Sequence, residues 1–427
     1  MQKWRRFILG CTLGNVLEWY DFILYGFFAT ILSRHFFPSH SHFISLLIVF
    51  SVFASGCLIR PLGSLLFGHI GDRYGRKRSL MITIVIISLA TTSMGLLPTY
   101  QQVGVWAPIL LTLCRLMQGL AVSGEEVGAG IFLTENAPRN EQCYASSIIL
   151  GSVYVGLLLG SVTAFLITII FSKAVVASWA WRVPFLLSFI YGVVAFYYRW
   201  RDIESPRFLL IETQKRVRYA PIKEVFSCYK EEIAVAIMLC FVFAVAIYLF
   251  AVYLPSFFNS IAGYNMEKTL LISALSLLVM SILVPLVGKL ADRVGAKRLY
   301  SMGCLGFVVM SYPIFYLLSL HNISSIIVAE AILCVLLSLV AGSIFPLLMQ
   351  RFPITVRYTG VGIAFNIAMT LFGSIAPIVA ITLVKYTGNN TAPFWYLLIA
   401  AVVSLVALPS FLSDNFTIEG ESEQRAG

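Results

Sequence analysis

The residues of this sequence that could carry chemistry are charged side chains inside long apolar segments. The first segment holds two carboxyls, the second an arginine, and the fourth an arginine and two carboxyls. In chain order they are Glu18, Asp21, Arg60, Arg115, Glu125 and Glu126. A charge inside a membrane is energetically expensive, so each is expected to have a function or a buried partner. Because the carboxyls outnumber the arginines, at least one carboxyl is expected to bind and release a proton, as a proton-coupled carrier requires.

The first apolar segment arranges its polar residues along one helix face. Glu18 lies about one helical turn before Asp21, and Asn15 and Tyr25 extend the same stripe. Two interpretations of Glu18 stay open: it contacts a substrate or binds a second proton, or it forms polar contacts between helices. Asn15 and Tyr25 are further candidates for substrate binding.

The fourth segment offers two carboxyls for one arginine. Arg115 and Glu126 lie nearly in line at 3.6 residues per turn, whereas Glu125 aligns with Gln118. Both carboxyls therefore stay candidates for proton coupling, and Arg115 and Gln118 are candidates for substrate binding. Arg60, directly before a proline in the second segment, either pairs with an acid or binds substrate.

The composition excludes an ordinary soluble enzyme. Of the 427 residues, 59% are hydrophobic and 12% are charged, and the mean hydropathy is +0.88. A soluble domain has about a quarter charged residues, so this chain must bury most of its surface in lipid. We predict an all-α membrane protein of twelve transmembrane helices, each about 20 apolar residues long. They cover residues 8–32, 44–69, 79–97, 106–134, 145–171, 183–200, 233–257, 269–291, 299–320, 324–349, 359–385 and 394–412.

The basic residues predict how these helices are oriented. Placing both termini in the cytoplasm puts most of the 30 Lys and Arg residues into cytoplasmic segments. The outer segments then contain Arg34, Lys173, Arg182, Lys268 and Lys385. Because basic residues of short loops concentrate on the cytoplasmic side, this distribution favours the chosen orientation. The net charge of +10 therefore reflects membrane topology and does not indicate binding to nucleic acid.

An internal repeat divides the chain into two related halves. The run from Gly68 to Lys77 follows the second helix, and the similar run from Gly288 to Lys297 follows the eighth. Both copies fall in the same loop of a six-helix unit, an arrangement typical of transporters. The predicted organisation is a first six-helix bundle, a cytoplasmic linker, a second six-helix bundle and a short cytoplasmic tail. Their residues are 1–200, 201–232, 233–413 and 414–427.

The remaining reactive side chains form no catalytic or metal-binding pattern. The 8 cysteines include no Cys-x-x-Cys pair, and the 5 histidines have no ligand spacing. The sequence has no nucleophile–base set and no ATP-binding loop. We therefore expect no enzymatic activity, no metal and no cofactor, with a proton gradient as the driving force.

The repeated loop resembles the signature of the major facilitator superfamily. Gly68 to Lys77 matches its pattern Gly-x-x-x-Asp-Arg-x-Gly-Arg-Lys in full, and Arg115 to Gly119 resembles a second signature. The second copy has Ala296 where the family pattern has a basic residue, so the second half is expected to latch more weakly. The resemblance implies two pseudo-symmetric six-helix bundles that work by alternating access.

A narrower resemblance is to the metabolite:proton symporters, which include proline/betaine, citrate and α-ketoglutarate transporters. Four stretches of the sequence carry it. They are Gly14 to Phe22, Arg60 to Gly63 with Asp72, Ser123 to Pro138, and Arg357 to Gly373.

The resemblance also implies roles for single residues. In related sugar porters an aspartate of helix 1 faces the arginine of the helix 4 signature, and these positions match Asp21 and Arg115. Protonation of Asp21 would then release Arg115, while a static ion pair is the structural alternative. Asn366, in the signature of the second half, is implied as a substrate contact. The loop motifs are implied in gating, with topology determination by positive charge as the alternative; the residues concerned are Asp72, Arg73, Gly75, Arg76, Lys77, Asp292 and Arg293.

Together these features predict a secondary active transporter of the bacterial inner membrane, active as a monomer. Its partners are the lipid bilayer, protons and a small molecule. An arginine in the cavity suits a carboxylate, so we expect import of a small carboxylate or zwitterion with protons. Two alternatives stay open: an exporter or a carrier of a carboxylate-type siderophore, and a membrane sensor that binds ligand without moving it.

Overall fold

The computed structural model describes residues 2–38, 42–255, 257, 266–320 and 322–410, and this part of the chain contains helices and no strand. Eleven helices are long and apolar enough to cross a membrane, and one further apolar helix is shorter. They correspond to the twelve predicted segments, and we number them in chain order. Their bounds are α1 Gln2–Phe27, α2 Ile44–Tyr74, α3 Arg76–Leu96, α4 Trp106–Asn136, α5 Gln142–Ile170, α6 Arg182–Trp200, α7 Lys230–Tyr253, α8 Met266–Val294, α9 Ala296–Ser319, α10 Ile323–Arg351, α11 Arg357–Thr387 and α12 Phe394–Ala407.

Some boundaries differ from the sequence prediction. The helix α1 ends at Phe27, and a separate helix, Ala29–Phe36, covers the rest of the predicted first segment. The linker contains two short helices, Pro206–Thr213 and Pro221–Cys228. Each begins with a proline, whose missing N–H loses no bond at a helix start. The predicted tail, 414–427, lies outside the described residues.

Pro61 interrupts α2 at Ile59. Regular helix stops at Leu58 and resumes at Arg60. Proline has no N–H to donate to the carbonyl four residues earlier, which here belongs to Cys57. The hydroxyl of Thr370 in α11 donates a hydrogen bond to this carbonyl instead, at 3.0 Å. The break therefore provides an acceptor for a bond from α11.

Several helix pairs join the first half, α1–α6, to the second half, α7–α12, and two of them involve the loop motifs. The helix α2 packs against α11, and α5 packs against α8. Glycines permit the close approach at both crossings. A Cβ on Gly68 would lie 2.7 Å from the Cα of Thr359, and a Cβ on Gly288 would lie 1.9 Å from the hydroxyl of Ser147. The first glycine of each loop motif is therefore a packing residue between the halves.

Both loop motifs end in tight turns on one side of the molecule, which we call the motif side. Gly75 and Gly295 have φ angles of 109° and 104°. Side chains with a Cβ strain this conformation, which explains the glycine at both positions. The short connection between α4 and α5 links the two turns in space, because Glu135 before it contacts Arg76 and Cys143 after it bonds to Asp292.

The outer surface of the helices is apolar. Leu96, Ile170, Val309 and Ile378 are 64% to 68% exposed. Hydrocarbon accommodates such a surface, while helical hydrogen bonding satisfies the backbone. The polar residues lie inside, so the chain has the polarity that a membrane solvent requires.

Candidate functional site

Residues of α1, α2, α3 and α4 line a cavity inside the first half. Its charged and amide lining residues are Glu18, Asp21, Arg60, Arg115 and Gln118. Each is less than a tenth exposed. Small-molecule sites have a small number of placed polar groups, and this cavity has such a lining. The fold thus brings together charged residues that are distant in the sequence.

Asp21 accepts hydrogen bonds on both carboxyl oxygens. Thr91 of α3 donates to Oδ2, and Ser188 of α6 donates to Oδ1 at 2.9 Å. The Nε2 of Gln118 in turn donates to the Thr91 hydroxyl at 2.6 Å. The sequence analysis missed Thr91 and Ser188, because a hydroxyl residue in an apolar helix belongs to no distinguishing pattern.

Arg115 is held by an amide and by aromatic rings. Its Nη1 donates to Oε1 of Gln118 at 2.7 Å. Its guanidinium lies 4.4 Å from the ring centroid of Tyr25 and 4.7 Å from that of Phe53, which are favourable cation–π distances. The hydroxyl of Tyr25 donates to the carbonyl of Val49 at 3.1 Å. Tyr25 therefore supports Arg115, although the sequence suggested it as a substrate contact.

The expected direct ion pair between Asp21 and Arg115 is not formed, although both residues lie in the described part of the chain. A chain of hydrogen bonds connects them instead, from Asp21 through Thr91 and Gln118 to Arg115. Two hydroxyls satisfy the carboxyl of Asp21 and two rings stabilise the charge of Arg115, so neither requires the other as a direct partner.

Glu18 and Glu126 have carboxyl oxygens without hydrogen-bond partners in the interior. Both carboxyl oxygens of Glu18 and the Oε1 of Glu126 are buried without a hydrogen-bond partner. The two acids lie within electrostatic range of each other and of Arg60. The guanidinium of Arg60 lies 6.0 Å from the ring centroid of Trp19 and forms no ion pair in the described structure. Buried polar atoms nearly always have partners, so these carboxyl oxygens are candidates for contact with a ligand or a proton.

Glu125 lies outside this group and has hydrogen-bonding partners of its own. Its carboxyl pairs with Nη1 of Arg199 at 2.8 Å and accepts a hydrogen bond from Thr83 at 2.5 Å. The Nη2 of Arg199 also donates to the carbonyl of Gly10 at 2.7 Å. This buried pair joins α1, α3, α4 and α6. The sequence analysis did not identify Arg199, which lies at the end of the sixth predicted segment, next to the polar linker.

Asn15 and Asn366 hold helices together. The Nδ2 of Asn15 donates to the carbonyl of Ile149 and to the hydroxyl of Ser152, both at 2.8 Å. The Nδ2 of Asn366 donates to the carbonyl of Ser123 at 3.0 Å and so links α11 to α4. Both amide nitrogens are thus engaged in contacts between helices and not in the cavity where the sequence suggested substrate contacts.

Two tyrosines on facing helices add further polar atoms to the interior. Tyr154 of α5 and Tyr248 of α7 are buried, and neither hydroxyl has a hydrogen-bond partner. Tyr154 lies within electrostatic range of Glu126, and Tyr248 within that of Arg60. Sequence reasoning missed Tyr154. The available signal was its mid-helix position, since membrane tyrosines usually lie near the interface.

Asp72, at the end of α2, caps the start of α11. It accepts hydrogen bonds from the N–H groups of Tyr358 at 3.2 Å and Thr359 at 2.8 Å. The first N–H groups of a helix have no partner within the helix and carry partial positive charge, so a carboxylate is favourable there. The bonds connect the two halves on the motif side, which is the geometry that a gate requires.

A buried ion network surrounds this cap. The guanidinium of Arg76 lies 3.3 Å from Asp72 and 3.4 Å from Glu135, and its Nη2 donates to the carbonyl of Ile354 at 2.7 Å. Glu135 also pairs with Arg357 at 3.3 Å. We call Asp72, Arg76, Glu135 and Arg357 the first latch. Glu135 and Arg357 belong to the motifs of the family resemblance but had not been identified as gating residues.

The start of the linker supports the first latch. The hydroxyl of Ser205 donates to Glu135 at 2.5 Å, and Glu204 accepts a hydrogen bond from the N–H of Lys77 at 3.1 Å. Glu204 therefore caps α3, whose N-cap residue, Gly75, has no side chain. Burial raises the pKa of Glu204, while the backbone N–H groups it accepts from lower it.

Asp292 forms a second contact of the same type. It accepts hydrogen bonds from the N–H groups of Cys143 at 2.8 Å and Tyr144 at 2.9 Å, at the start of α5. We call Asp292 with this helix start the second latch. Ala296 occupies the position that corresponds to Arg76, so this cap has no arginine beside it.

The other basic residues of the motifs lie outside the latches. The Nζ of Lys77 donates to the carbonyl of Trp200 at 2.8 Å. The guanidinium of Arg73 lies 5.5 Å from the ring centroid of Tyr219 in the linker, and Arg293 is exposed. Among the motif residues predicted to gate, the structure therefore brings Asp72, Arg76 and Asp292 to the contacts between halves.

Twelve apolar helices around a buried polar cavity, with capped contacts between two halves, define a polytopic membrane transporter. The sequence model of the family described as Major Facilitator Superfamily matches residues 11–377 of this chain. The chain belongs to this family, and the predicted fold class is confirmed.

Comparison with known proteins supports the same assignment. The chain is 33% identical over 413 residues to the proline/betaine transporter of Escherichia coli K12, covering 95% of this chain and 82% of that protein. It is also 33% identical over 411 residues to the glycine betaine/proline/ectoine/pipecolic acid transporter OusA of Dickeya dadantii, covering 94% and 82%. The proton:xylose symporter XylE bound to 6-bromo-6-deoxy-D-glucose has a similar structure, with a TM-score of 0.82 at 16% identity, covering 97% of this chain and 96% of that one. The relatives are transporters, as the sequence predicted.

Proposed function

We propose that this protein imports a small zwitterionic metabolite together with protons. The mixed charge of the cavity supports this most directly. Arg60 and Arg115 line the same space as the unpartnered carboxyl of Glu18. A zwitterion offers a carboxylate to the arginines and an ammonium group to the carboxyl, whereas a dicarboxylate would leave Glu18 facing a like charge. The names of the relatives, which include proline and betaine, agree with this class of substrate.

The two ends of the substrate have different partners in this proposal. Arg115 has a buried Nε without a hydrogen-bond partner, and a guanidinium has five donors with which to hold a carboxylate. Glu18 has two free oxygens for the cationic end, and the ring of Trp19, which also lines the cavity, attracts an ammonium group by its π face. Proton binding and substrate binding therefore use neighbouring groups of one cavity.

Asp21 is the proposed coupling group, with Glu18 and Glu126 as further acids within the same interior. When Asp21 is ionised, Thr91 donates to it and accepts from Gln118, which keeps Oε1 of Gln118 directed at Arg115. A protonated Asp21 carries a hydrogen of its own, which competes with the donation from Thr91. Gln118 is then free to turn, and the donors of Arg115 become available to the substrate carboxylate.

The latches provide the alternating access. Both are formed, so the motif side is closed in this structure. With the motif side in the cytoplasm, as the basic residues predict, this state receives substrate from outside and opening of the latches releases it inside. We place the protein as a monomer in the bacterial inner membrane, with both termini cytoplasmic.

The replacement Asp21→Asn tests the coupling. Asparagine fills the same space but cannot take up a proton, so accumulation driven by a pH gradient should fall to background. Exchange of substrate across the membrane should persist, because the cavity keeps its arginines and Glu18. Purified protein in proteoliposomes, with radiolabelled glycine betaine and L-proline, allows both measurements. Glu231→Gln removes a carboxyl from an exposed position and is the matched control.

Each outcome of this experiment has a distinct meaning. Accumulation that persists in Asp21→Asn would assign the coupling to Glu18 or Glu126 instead. Loss of exchange as well as accumulation, in a protein that still elutes as a folded species, would support a structural role for Asp21. Binding without any flux in the unaltered protein would make it a sensor and not a transporter.

A further inference from the structure

A second cavity lies between the two halves, away from the motif side. The first half contributes Ile23 of α1 and Leu157 of α5, and the second half contributes Phe250 of α7, Ser276 of α8 and Glu330 of α10. Ser276 lies near the start of α8, whose other end has the second latch, and Glu330 lies near the start of α10. The cavity is therefore close to the side from which substrate would enter when the latches are formed.

Glu330 is the one charged residue among the described residues that line this space. It is 5% exposed, and the hydroxyl of Ser276 donates a hydrogen bond to its Oε2. The hydroxyl of Ser273, also in the lining, is buried without a partner. The walls are otherwise apolar and include the ring of Phe250. A carboxylate, hydroxyls and an aromatic ring favour an ammonium group and disfavour a free carboxylate.

One aromatic contact lies between this cavity and the first cavity, lined by Glu18 and Arg115, which we call the central cavity. The consecutive residues Phe22 and Ile23 line the central and the second cavity respectively. Phe250 packs edge-on against Tyr154 of the first half, with ring centroids 6.2 Å apart. Tyr154 is within electrostatic range of Glu126 and so borders the central acids. The contact between Phe250 and Tyr154 therefore connects the lining of the second cavity to the surroundings of Glu126.

We propose that the second cavity is an outer subsite, in which Glu330, held by Ser276, binds the ammonium group of the substrate before it reaches the central cavity. The zwitterionic substrate in this statement rests on the proposed function. The subsite also selects: a betaine or an imino acid is admitted by its cationic end, and a plain organic acid meets a like charge at the entrance. Tyr154 and Phe250 then separate the outer subsite from the central site.

Tetramethylammonium tests the subsite without requiring transport. It carries the cationic end alone, and its binding to the purified full-length protein in detergent can be measured by titration calorimetry. We expect Glu330→Gln to weaken this binding by about tenfold, as expected when a charged partner is lost. Ser276→Ala should weaken it about threefold by removing the bond that orients the carboxyl. Glu330→Asp, which keeps the charge, should retain most of the affinity, and Glu231→Gln should have no effect.

The central site provides the comparison that separates the two proposals. Glu18→Gln should leave a tetramethylammonium site that still depends on Glu330. Three results would overturn the outer subsite. Tetramethylammonium binding could be unchanged in both Glu330→Gln and Ser276→Ala, it could be abolished by Glu18→Gln and by neither of those two variants, or it could be absent in the unaltered protein. Should Glu330→Gln fail to elute as folded protein, Ser276→Ala decides, because it keeps the carboxyl. If glycine betaine is not taken up but tetramethylammonium still binds in a way that depends on Glu330, the proposed function is rejected and the outer subsite is retained.

Discussion

Asp72 and Asp292 cap helices of the opposite half with nearly the same geometry. Each accepts hydrogen bonds from two consecutive N–H groups, at 2.8 to 3.2 Å for Asp72 and at 2.8 and 2.9 Å for Asp292. Three residues after each aspartate lies a glycine with positive φ, Gly75 after Asp72 and Gly295 after Asp292. The repeated part of the motif, aspartate and glycine, thus has the same structural result in both halves.

The surroundings of the two caps differ. Asp72 is fully buried beside Arg76, whereas Asp292 is half-buried and has Ala296 at the corresponding position. Next to the first latch, the hydroxyl of Tyr358 donates to the carbonyl of Gly124 at 2.6 Å. The corresponding position at the start of α5 is Cys143, which has a much smaller side chain.

The aspartate therefore determines where the halves meet, and the neighbouring charges determine the free energy that their separation costs. Removal of one member of a buried ion network leaves the other charges without partners, which is strongly destabilising. A half-exposed cap lets water replace the lost bonds. The sequence-based expectation of a weaker second latch stays a prediction, and three substitutions test it.

Asp72→Asn should have the largest effect. It removes a charge from the first latch and leaves Arg76 with Glu135 as its one acidic partner there, so we expect the population open on the motif side to rise by about 10- to 100-fold. Alkylation of Cys143 measures this, because the thiol is buried where α5 meets α8. Peptide mass spectrometry separates it from the exposed Cys228. An alkylation rate equal to that of the unaltered protein would show that the first latch does not control opening.

Asp292→Asn should have a smaller effect of the same sign. The amide keeps one acceptor oxygen, and no arginine loses a partner, so we expect an increase of about three- to tenfold in Cys143 alkylation. The double substitution with Asp72→Asn measures whether the two latches act independently. An effect larger than that of Asp72→Asn would reverse the proposed order of the latches.

Ala296→Arg should have the smallest effect, in the opposite direction. It introduces the basic residue that the second motif lacks, within reach of Asp292 and near Glu141 of the α4–α5 connection. Because these groups are partly exposed, the gain is at most about fivefold, seen as slower alkylation of Cys143. Ala296→Gln, which is polar and uncharged, is the control. Equal rates in both variants would show that charge at this position does not distinguish the latches.

The architecture could be predicted from the sequence because hydropathy acts locally. The twelve apolar segments, the linker and the repeated motif correspond to what the structure contains, since a helix in lipid satisfies its backbone by itself. The glycines at Gly75 and Gly295 could likewise be understood from the backbone conformation of a tight turn. For the candidate site, the sequence identified which charges are buried but not which atoms they contact.

Tertiary packing decided the partners. Glu125 and Glu126 are adjacent in sequence, yet one pairs with Arg199 and the other lies near Glu18 and Arg60. Asp21 contacts hydroxyls of α3 and α6 in place of the arginine that the resemblance implied. The physical reason is that consecutive residues of a helix point about 100° apart. A sequence therefore determines that a charge lies in the membrane, but the rotation and crossing of neighbouring helices determine which group it meets.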